Sequence, residues 1–577
     1  MFVIAATIFM VSPVHVLTDS RYSPLISETL LRHGSVALDP WFAAGGTLPY
    51  QVETIGGHVY SWYPPGGPVL SAPLVGLLAL LGLSAIGPDG AYDEAGDVIV
   101  QAIAAALLMA ALAALLLATV RMILPPLWSW IVALAAVFGT QIWSTASRAL
   151  WGDTFMVLIL GAVVWLLVAH EVKQRRLSAP LLATLLAWAY FCRPTAAVAI
   201  LAVTLHLARH CRRLLIPYAA TGAAWAAIFV TWSRLTFGTL LPTYYRTRTF
   251  GLRSFGTGLA GILVSPSRGQ LVFVPATLFV VYLVLRYRRS LPVSRLVGPA
   301  AVAIVGHVVL IAAFPHWHGG HAYGPRYLTP LVPWLTVLAA LGARASLDQR
   351  ARDRRAEWTA GAFLLVVSMF IQARGTWARE TWTWNMGPAN VSLHPERVWG
   401  WRNSQLLAGL VPAPLPPVIA RYTLGDRIDV GSSGAEGYLL CGWSGAEGKN
   451  GEKISEKSGE TFRWTDGRTA ELVFELASVP ERQPLVLQAK LEGFLPPGRV
   501  REQRIELELN GRSLATLNVN RRGPMEVAAA VAPDRTARIN RLTLRLPDAA
   551  FAARFGLGSD PRQLGVAVSW LRLGPPR

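Results

Sequence analysis

Charge is scarce in this 577-residue chain: 15% of its residues are Asp, Glu, Lys or Arg, against 53% hydrophobic. Soluble domains carry nearer a quarter charged residues, which excludes one ordinary soluble domain. Cysteine is scarcer still, with three residues, Cys192, Cys211 and Cys441. They are too few and too scattered for a disulfide framework, and no structural disulfide is expected. Acidic residues are outnumbered 34 to 53, giving a formal net charge of +19. That excess does not point to nucleic acid, because the basic residues fall between apolar runs, where a membrane protein keeps them. The segment Met1 to Leu17 lacks a basic n-region and a small-residue cleavage site, so it reads as a short first membrane helix and not a cleaved signal. There is no Walker loop, no dinucleotide glycine fingerprint with its acidic partner, no HExxH and no solenoid repeat.

What the chain does have is long apolar runs, recurring from Met1 to about Ile371 and then stopping. A span needs about 20 apolar residues, and the clearest are 98–120, 123–142, 153–170, 215–233, 271–285, 297–314, 328–343 and 357–373. Basic clusters at Lys173 to Arg176, Arg209 to Arg213, Arg286 to Arg289 and Arg344 to Arg355 mark the cytoplasmic ends. Residues 234–270, 315–327 and everything after about 374 then lie outside the cytoplasm. Two stretches resist simple crossing. Residues 178–208 have basic clusters at both ends and Arg193-Pro194 at the centre, which predicts two short helices with an outward tip. Residues 68–85 lie between two segments that both read as external, which predicts a re-entrant segment or a parity error.

The first external loop, residues 18–67, is rich in ionisable and aromatic residues and must fold. Within it SPLISETLLRH, residues 23–33, places Leu25, Ile26, Thr29 and Leu30 at helical spacing before Gly34, predicting an amphipathic interfacial helix. Residues 375–421 are rich in Trp and Pro and read as a linker. From Tyr422 the pattern becomes short alternating runs such as AELVFEL and RIELELN between turn residues, predicting an all-β sandwich over 422–577. The expected fold class is therefore a polytopic α-helical membrane domain, residues 1–374, followed by a β-sandwich that is a candidate carbohydrate-binding domain. Trp443 and Trp464 are either sugar-stacking or core residues.

Several constellations can carry chemistry. Asp19-Ser20-Arg21-Tyr22 and the run Tyr60 to Gly66, which includes Tyr63, set an external carboxylate beside aromatics and prolines. Such a carboxylate can take a proton from an acceptor hydroxyl, or it can be only an interfacial charge in an aromatic belt. His58 and Glu28 share that loop. His316-Trp317-His318-Gly319-Gly320-His321-Ala322-Tyr323-Gly324-Pro325-Arg326-Tyr327 invites a zinc reading, but no acidic or Cys partner accompanies the histidines, so no metal is entered. Arg326, at the mouth of a helix, is placed for a lipid phosphate or for snorkelling. Arg193 is a charge inside an apolar run and so a functional candidate, or else a turn residue. Asp153 can assist Asp19 or simply sit at a helix N-terminus. The loop Pro242 to Arg248 and Ser265 to Gly269, with Arg268, reads as external phosphate or substrate contacts, or as only an aromatic and basic interface.

In this order, Asp19 with Tyr22, Glu28 and Leu-Leu-x-x-Gly at Gly34, Tyr63-Pro64-Pro65-Gly66, Arg193-Pro194, and Gly-Gly-x-x-x-Gly-Pro-Arg-Tyr-Leu-x-Pro ending at Pro330, the motifs resemble the GT-C glycosyltransferases over about residues 1–345. Those enzymes include protein O-mannosyltransferase and lipid A aminoarabinose transferase relatives. The resemblance implies about 10 to 13 membrane helices, a polyprenyl-phosphate sugar as donor and inversion at the sugar carbon. It implies Asp19 as catalytic base, with Glu28 or Asp153 as a second carboxylate because Ser20 stands where many relatives carry Glu. It implies donor-phosphate contacts from Arg326, Arg193 and Arg268, and substrate contacts from Tyr22, Tyr63, His58, His321, Tyr323 and Tyr327. No cofactor is implied for the aminoarabinose and mannosyl types, whereas the oligosaccharyltransferase branch uses a divalent metal.

The function expected is transfer of a sugar from a polyprenyl-phosphate donor to an extracytoplasmic glycan, lipid or protein acceptor, with membrane lipids around it and no nucleic-acid partner. A flippase for lipid-linked glycans or an inactive glycan-binding scaffold are the competing readings; a transporter would more naturally place its ionisable groups near the bilayer midplane. The location expected is a bacterial inner membrane, with the site and the C-terminal domain periplasmic.

Overall fold

In a computed structural model the chain is described except for residues 16, 44–47, 248–249, 350, 417, 449–460, 480–482, 497, 499, 552–559, 561 and 577, and the side chains of 351–354. Contacts divide it into two units, Met1–Thr376 and Trp377–Arg577.

The first unit is helical. It begins with α1 (Phe2–Val11) and α2 (Ser23–His33), a two-stranded hairpin of β1 (Val52–Ile55) and β2 (His58–Ser61), and α3 (Gly66–Leu80). Then follow α4 (Glu94–Val120), α5 (Pro126–Phe138), α6 (Gly152–Lys173), α7 (Ala179–Cys192), α8 (Ala197–His210) and α9 (Leu215–Phe237). The remainder comprises α10 (Thr243–Arg246), α11 (Phe255–Val264), α12 (Gln270–Phe273), α13 (Ala276–Arg286), α14 (Val297–Ala312), α15 (Val332–Leu347) and α16 (Ala351–Trp377). Among the described residues six helices are long and apolar enough to cross a membrane, and six shorter apolar ones accompany them. The chain is a multi-pass membrane protein. Its main apolar core joins α4, α6, α7, α8 and α15 through residues such as Leu160, Leu186, Val203 and Leu341.

The two stretches that resisted simple crossing are resolved. Residues 178–208 form α7 and α8, broken at Arg193-Pro194. Proline lacks the N–H that would continue α7 and holds the preceding residue extended, with Arg193 at φ −159° and ψ 121°. Residues 68–85 leave and return to one place: Ser27 Oγ on α2 donates to Pro68 O at 2.8 Å, while Glu28 accepts from Ser84 Oγ at 2.7 Å and Ala85 N at 2.8 Å. The start of α3 and the segment after its end thus both lie against neighbouring residues of α2. Two expectations are corrected. Helix α2 is buried from Ser23 to Thr29 instead of showing one apolar face, because α3 covers it. The loop 234–270 contains the apolar helix α11, too short to read as a span, which packs closely on α14; a Cβ on Gly258 would lie 2.2 Å from Ala312 O.

The second unit is a β-sandwich. Its strands are β3 (Arg421–Tyr422), β4 (Arg427–Asp429), β5 (Leu439–Cys441), β6 (Arg463–Asp466), β7 (Thr469–Leu476), β8 (Leu485–Gly493) and β9 (Gln503–Leu509). They continue with β10 (Arg512–Val519), β11 (Met525–Val531), β12 (Ile539–Arg545), β13 (Ala550–Phe551) and β14 (Gln563–Gly574). One sheet has the order β10-β9-β12-β7-β3 with β5 on β7; the other has β11-β8-β14-β13 with β4 and β6 on β14. Strand β8 alternates buried and half-buried residues along its length, as one inward face requires. Trp443 packs against this core, and its indole N–H donates to Glu471 O at 2.9 Å, so its polar edge is used internally.

Residues 377–421 are not a free linker but part of this unit. Arg379 grips Asp466 of β6 through Nε and Nη2 at 2.9 to 3.1 Å, with both side chains at most 7% exposed. Removing one member of a buried ion pair strands the other charge, at a cost of about 3–5 kcal/mol. Arg379→Ala is therefore expected to lower the melting temperature of the sandwich transition, followed by circular dichroism, whereas a surface variant such as Arg521→Ala leaves stability within about 0.5 kcal/mol.

Candidate active site

The site is assembled from four chain segments. Asp19 lies in the turn between α1 and α2, fixed on both sides: Gln51 Nε2 donates to Thr18 O at 3.3 Å and Gln101 Nε2 to Ser20 O at 2.8 Å. Tyr22 follows in the left-handed region, φ 71°, with its N–H donating to Asp97 Oδ2 at 3.0 Å. Gln101 on α4 also accepts from Leu150 N at 2.9 Å, so one amide ties the Asp19 turn to the segment that carries Trp151 and Asp153. That segment follows a π-turn, Ile142–Ala146, and is anchored by Arg148, which donates to Ser12 O at 3.0 Å and Phe9 O at 2.6 Å. Arg193 ends α7, and Arg326 opens the 3₁₀ turn before α15.

Two glycines let these segments meet. A Cβ on Gly66 would fall 2.5 Å from Phe191 C, and one on Gly152 would fall 2.9 Å from Cys192 O. The backbones before α3 and α6 can thus close on the end of α7.

The result is a line of alternating charge. Arg326 Nη2 donates to Asp19 Oδ2 at 2.5 Å, Arg326 Nε lies 3.7 Å from Asp153 Oδ2, and Arg193 Nη1 donates to the same Asp153 oxygen at 2.7 Å. Tyr63 Oη donates to Asp19 Oδ1 at 3.0 Å. Asp19 is the accessible member, 30% exposed, whereas Arg326 is 3% exposed and Asp153 fully buried. Arg326 lies over Trp151, 4.3 Å from the ring centroid, and Arg193 over Tyr327 at 4.8 Å. Burial alone would push the Asp19 carboxyl up, but the charge and hydrogen bond of Arg326, with help from Tyr63 and Arg193, hold it below the ordinary carboxylate range. Burial and the Asp19 charge push the Tyr50 phenol up to about 12.

Two cavities meet here. One of about 40 Å³ is lined by Asp19, Tyr63, Trp151, Arg193 and Tyr244 among others. A second, of about 240 Å³, shares Arg193 and Tyr244 and is otherwise walled largely by Tyr245, Phe250, Phe314 and Tyr327. A larger apolar cavity of about 310 Å³ between α5, α13, α15 and α16 contains none of the four charged residues, and chemistry, not size, decides in favour of the smaller pair.

Of the twelve residues singled out from the sequence, five come together: Asp19, Asp153, Arg326, Arg193 and Tyr63, with Tyr327 as the wall between the two guanidiniums. The other six are elsewhere employed. Glu28 is buried and accepts from Ser84, Ala85 N and Arg32, so it clamps α2 to the end of the α3 segment. Arg268 donates to His318 O, Ser267 O and Gly320 O at 2.7 to 3.0 Å, which commits its guanidinium to shaping the loop that contains His321. Tyr22 packs its ring against Phe42 and Tyr92 in the loop core. His58 pairs with Asp39 at 2.7 Å on an exposed hairpin. Tyr323 donates to Ile371 O at 2.7 Å and is buried against Phe273. Arg248 lies outside the described residues. Trp151 and Gln101 are the residues that sequence reasoning missed, whereas Tyr244 lies in the loop Pro242 to Arg248 that was read as phosphate or substrate contacts. Trp151 is two positions from Asp153 and an aromatic beside an acid was a legible signal; Gln101 inside an apolar span was another. Among the described residues no group of three or more His, Cys, Asp or Glu is disposed to hold a metal ion.

No protein-family model matches the chain, and no curated protein does. Among solved structures, ArnT from Cupriavidus metallidurans in the apo state is similar over 65% of this chain and 68% of its own, at 12% identity and a TM-score of 0.43. The archaeal oligosaccharyltransferase AglB from Archaeoglobus fulgidus, in complex with an inhibitory peptide and a dolichol-phosphate, is similar over 73% of this chain, at 12% identity and a TM-score of 0.41. The similarity spans 61% of AglB, less than two thirds of its length. CsCBM6-3 from Clostridium stercorarium, in complex with cellobiose, is similar over 27% of this chain and 98% of its own, at 15% identity and a TM-score of 0.17.

The lowered Asp19 value has a consequence for stability. Its unfolded value is about 3.9, so the pairing stabilises the fold fully above that pH and is lost as pH falls through the lower folded value. Thermal melts of wild type and Asp19→Asn should differ near neutral pH and converge as the buffer is taken below about pH 3.9.

Proposed function

We propose that the helical unit is a membrane glycosyltransferase of GT-C type that moves a sugar from a polyprenyl-phosphate donor to an acceptor hydroxyl. The observation that carries this reading is one accessible carboxylate, Asp19, in contact with a buried guanidinium, Arg326, next to an aromatic cavity whose polar end is Arg193. A lipid that carries an anionic head and a long apolar tail has the same polarity as that cavity. The ordered sequence motifs support the same assignment.

In this reading the donor phosphate lies against Arg326 and Arg193, with the first isoprene units among Tyr245, Phe250 and Phe314. Asp19 accepts the proton of the acceptor hydroxyl as its oxygen attacks the anomeric carbon from the face opposite the phosphate. The new bond forms as the bond from that carbon to the phosphate oxygen breaks, which inverts the centre. The electron pair leaves with the phosphate, where the two guanidiniums stabilise the growing charge. The products are the glycosylated acceptor and polyprenyl monophosphate, and no nucleotide takes part. Tyr63 orients Asp19, and Asp153 holds the two guanidiniums in register. The same reading puts the site on the extracytoplasmic side of a bacterial inner membrane, gives an envelope glycan, lipid or protein as acceptor, and gives the β-sandwich a glycan-contacting role.

Purified protein is expected to release polyprenyl monophosphate from a member of a panel of polyprenyl-phosphate sugars when envelope glycan extract is supplied. Asp19→Asn should slow that release by roughly 10²–10⁴-fold, the range for loss of a general base, with donor binding not weakened. Release at the same rate by both proteins would remove Asp19 from the chemistry.

A further inference from the structure

Hydrogen-bond deficits are not spread evenly through the molecule. Eleven buried side-chain nitrogen and oxygen atoms lack a hydrogen-bond partner among the described residues, and five of them belong to Thr18, Ser20, Trp151, Asp153 and Arg326. Each of these residues is at most 8% exposed, and all but Thr18 are at most 3%. Native proteins leave few such atoms, and each costs about 1–3 kcal/mol unless something supplies the missing partner. Three of them, on Trp151, Asp153 and Arg326, belong to the charged cluster and describe the ligand it takes.

These three sort by chemistry. Asp153 Oδ1 can only accept, so it requires a hydrogen-bond donor. Trp151 Nε1–H and Arg326 Nε–H can only donate, so they require an oxygen acceptor. These two donors are adjacent, since the Arg326 guanidinium lies 4.3 Å from the Trp151 ring centroid. Trp151 also lines the small cavity with Asp19, Tyr63 and Arg193. Two neighbouring donors, one of them cationic, form a site for an oxyanion. Building on the transferase reading, we infer that Trp151 contacts the donor directly: its indole N–H donates a hydrogen bond to a phosphate oxygen while its ring face holds Arg326 in place.

A structural tryptophan and a ligand-contacting one are separated by two substitutions in the full-length protein. Trp151→Phe keeps a ring against Arg326 and removes the N–H; Trp151→His keeps a ring N–H. Because the N–H has no protein partner, Trp151→Phe should melt no lower than wild type without ligand. Its affinity for polyprenyl monophosphate, which carries no sugar, should fall roughly 10- to 100-fold, the worth of one hydrogen bond to a charged group. Trp151→His should recover part of that loss. Wild-type affinity in Trp151→Phe, a loss confined to the glycosylated donor, or a loss matched by a lower melting temperature and not recovered by His would each overturn the inference. If wild type transfers sugar normally while Trp151→Phe is unaffected, only the Trp151 assignment falls. If wild type neither binds the lipid phosphate nor transfers, the transferase reading falls and takes the assignment with it.

Discussion

The contact between Asp19 and Arg326 is the constraint on which the rest of the helical unit depends. A guanidinium that is 3% exposed cannot stand in an apolar interior without anions beside it, and its nearest is a carboxylate 307 residues earlier in the chain. To bring these ends together, the Asp19 turn is pinned by Gln51, Gln101 and Asp97, and the Arg326 turn is held under Trp151 and Tyr327. The packing of α3 on α2, the close approach at Gly66 and Gly152, and the break of α7 at Pro194 all serve the same convergence. Most of these devices are irregular backbone, which a membrane protein tolerates only where protein or a cavity surrounds it.

Charge balance gives the site its character. Two aspartates and two arginines alternate, so the group is formally neutral as it stands. In the proposed reading, an incoming phosphate meets guanidiniums already engaged, and it must compete with carboxylates for them. Of the two, Asp19 is the partner that can be displaced, since it is 30% exposed and Asp153 is fully buried between both arginines. As Arg326 turns toward a phosphate, the interaction that keeps the Asp19 carboxyl below its ordinary range weakens, and its basicity rises. Under the proposed function, donor binding and activation of the base are two faces of one ion-pair exchange.

Much of the fold was legible in the sequence. Apolar runs and basic clusters located the long helices to within a few residues, because length and hydropathy are what a bilayer demands. The alternating pattern after Tyr422 located the sandwich for the same reason, one face being buried. Legibility failed where tertiary packing overrode local pattern: α11 is too short to read as a membrane element, and α2 carries polar residues that are buried only because α3 covers them. In the site, Asp19, Arg193 and Arg326 were visible as charges where charge is costly. Glu28 and Arg268 carried the same signal, yet the protein itself compensates them: Arg32, Ser84 and Ala85 N for Glu28, and the carbonyls of His318 and Gly320 for Arg268. A costly charge marks a place where something must compensate, and sequence alone does not say whether a ligand or the protein itself does so.

The sharing of Arg326 between a carboxylate and a phosphate is tested most directly by the affinity of polyprenyl monophosphate for wild type and Asp19→Asn at neutral pH. If the carboxylate and the lipid phosphate compete for one guanidinium, the asparagine protein, although inactive, binds the lipid more tightly than wild type. Weaker or unchanged binding in Asp19→Asn would contradict that competition and separate Arg326 from the donor.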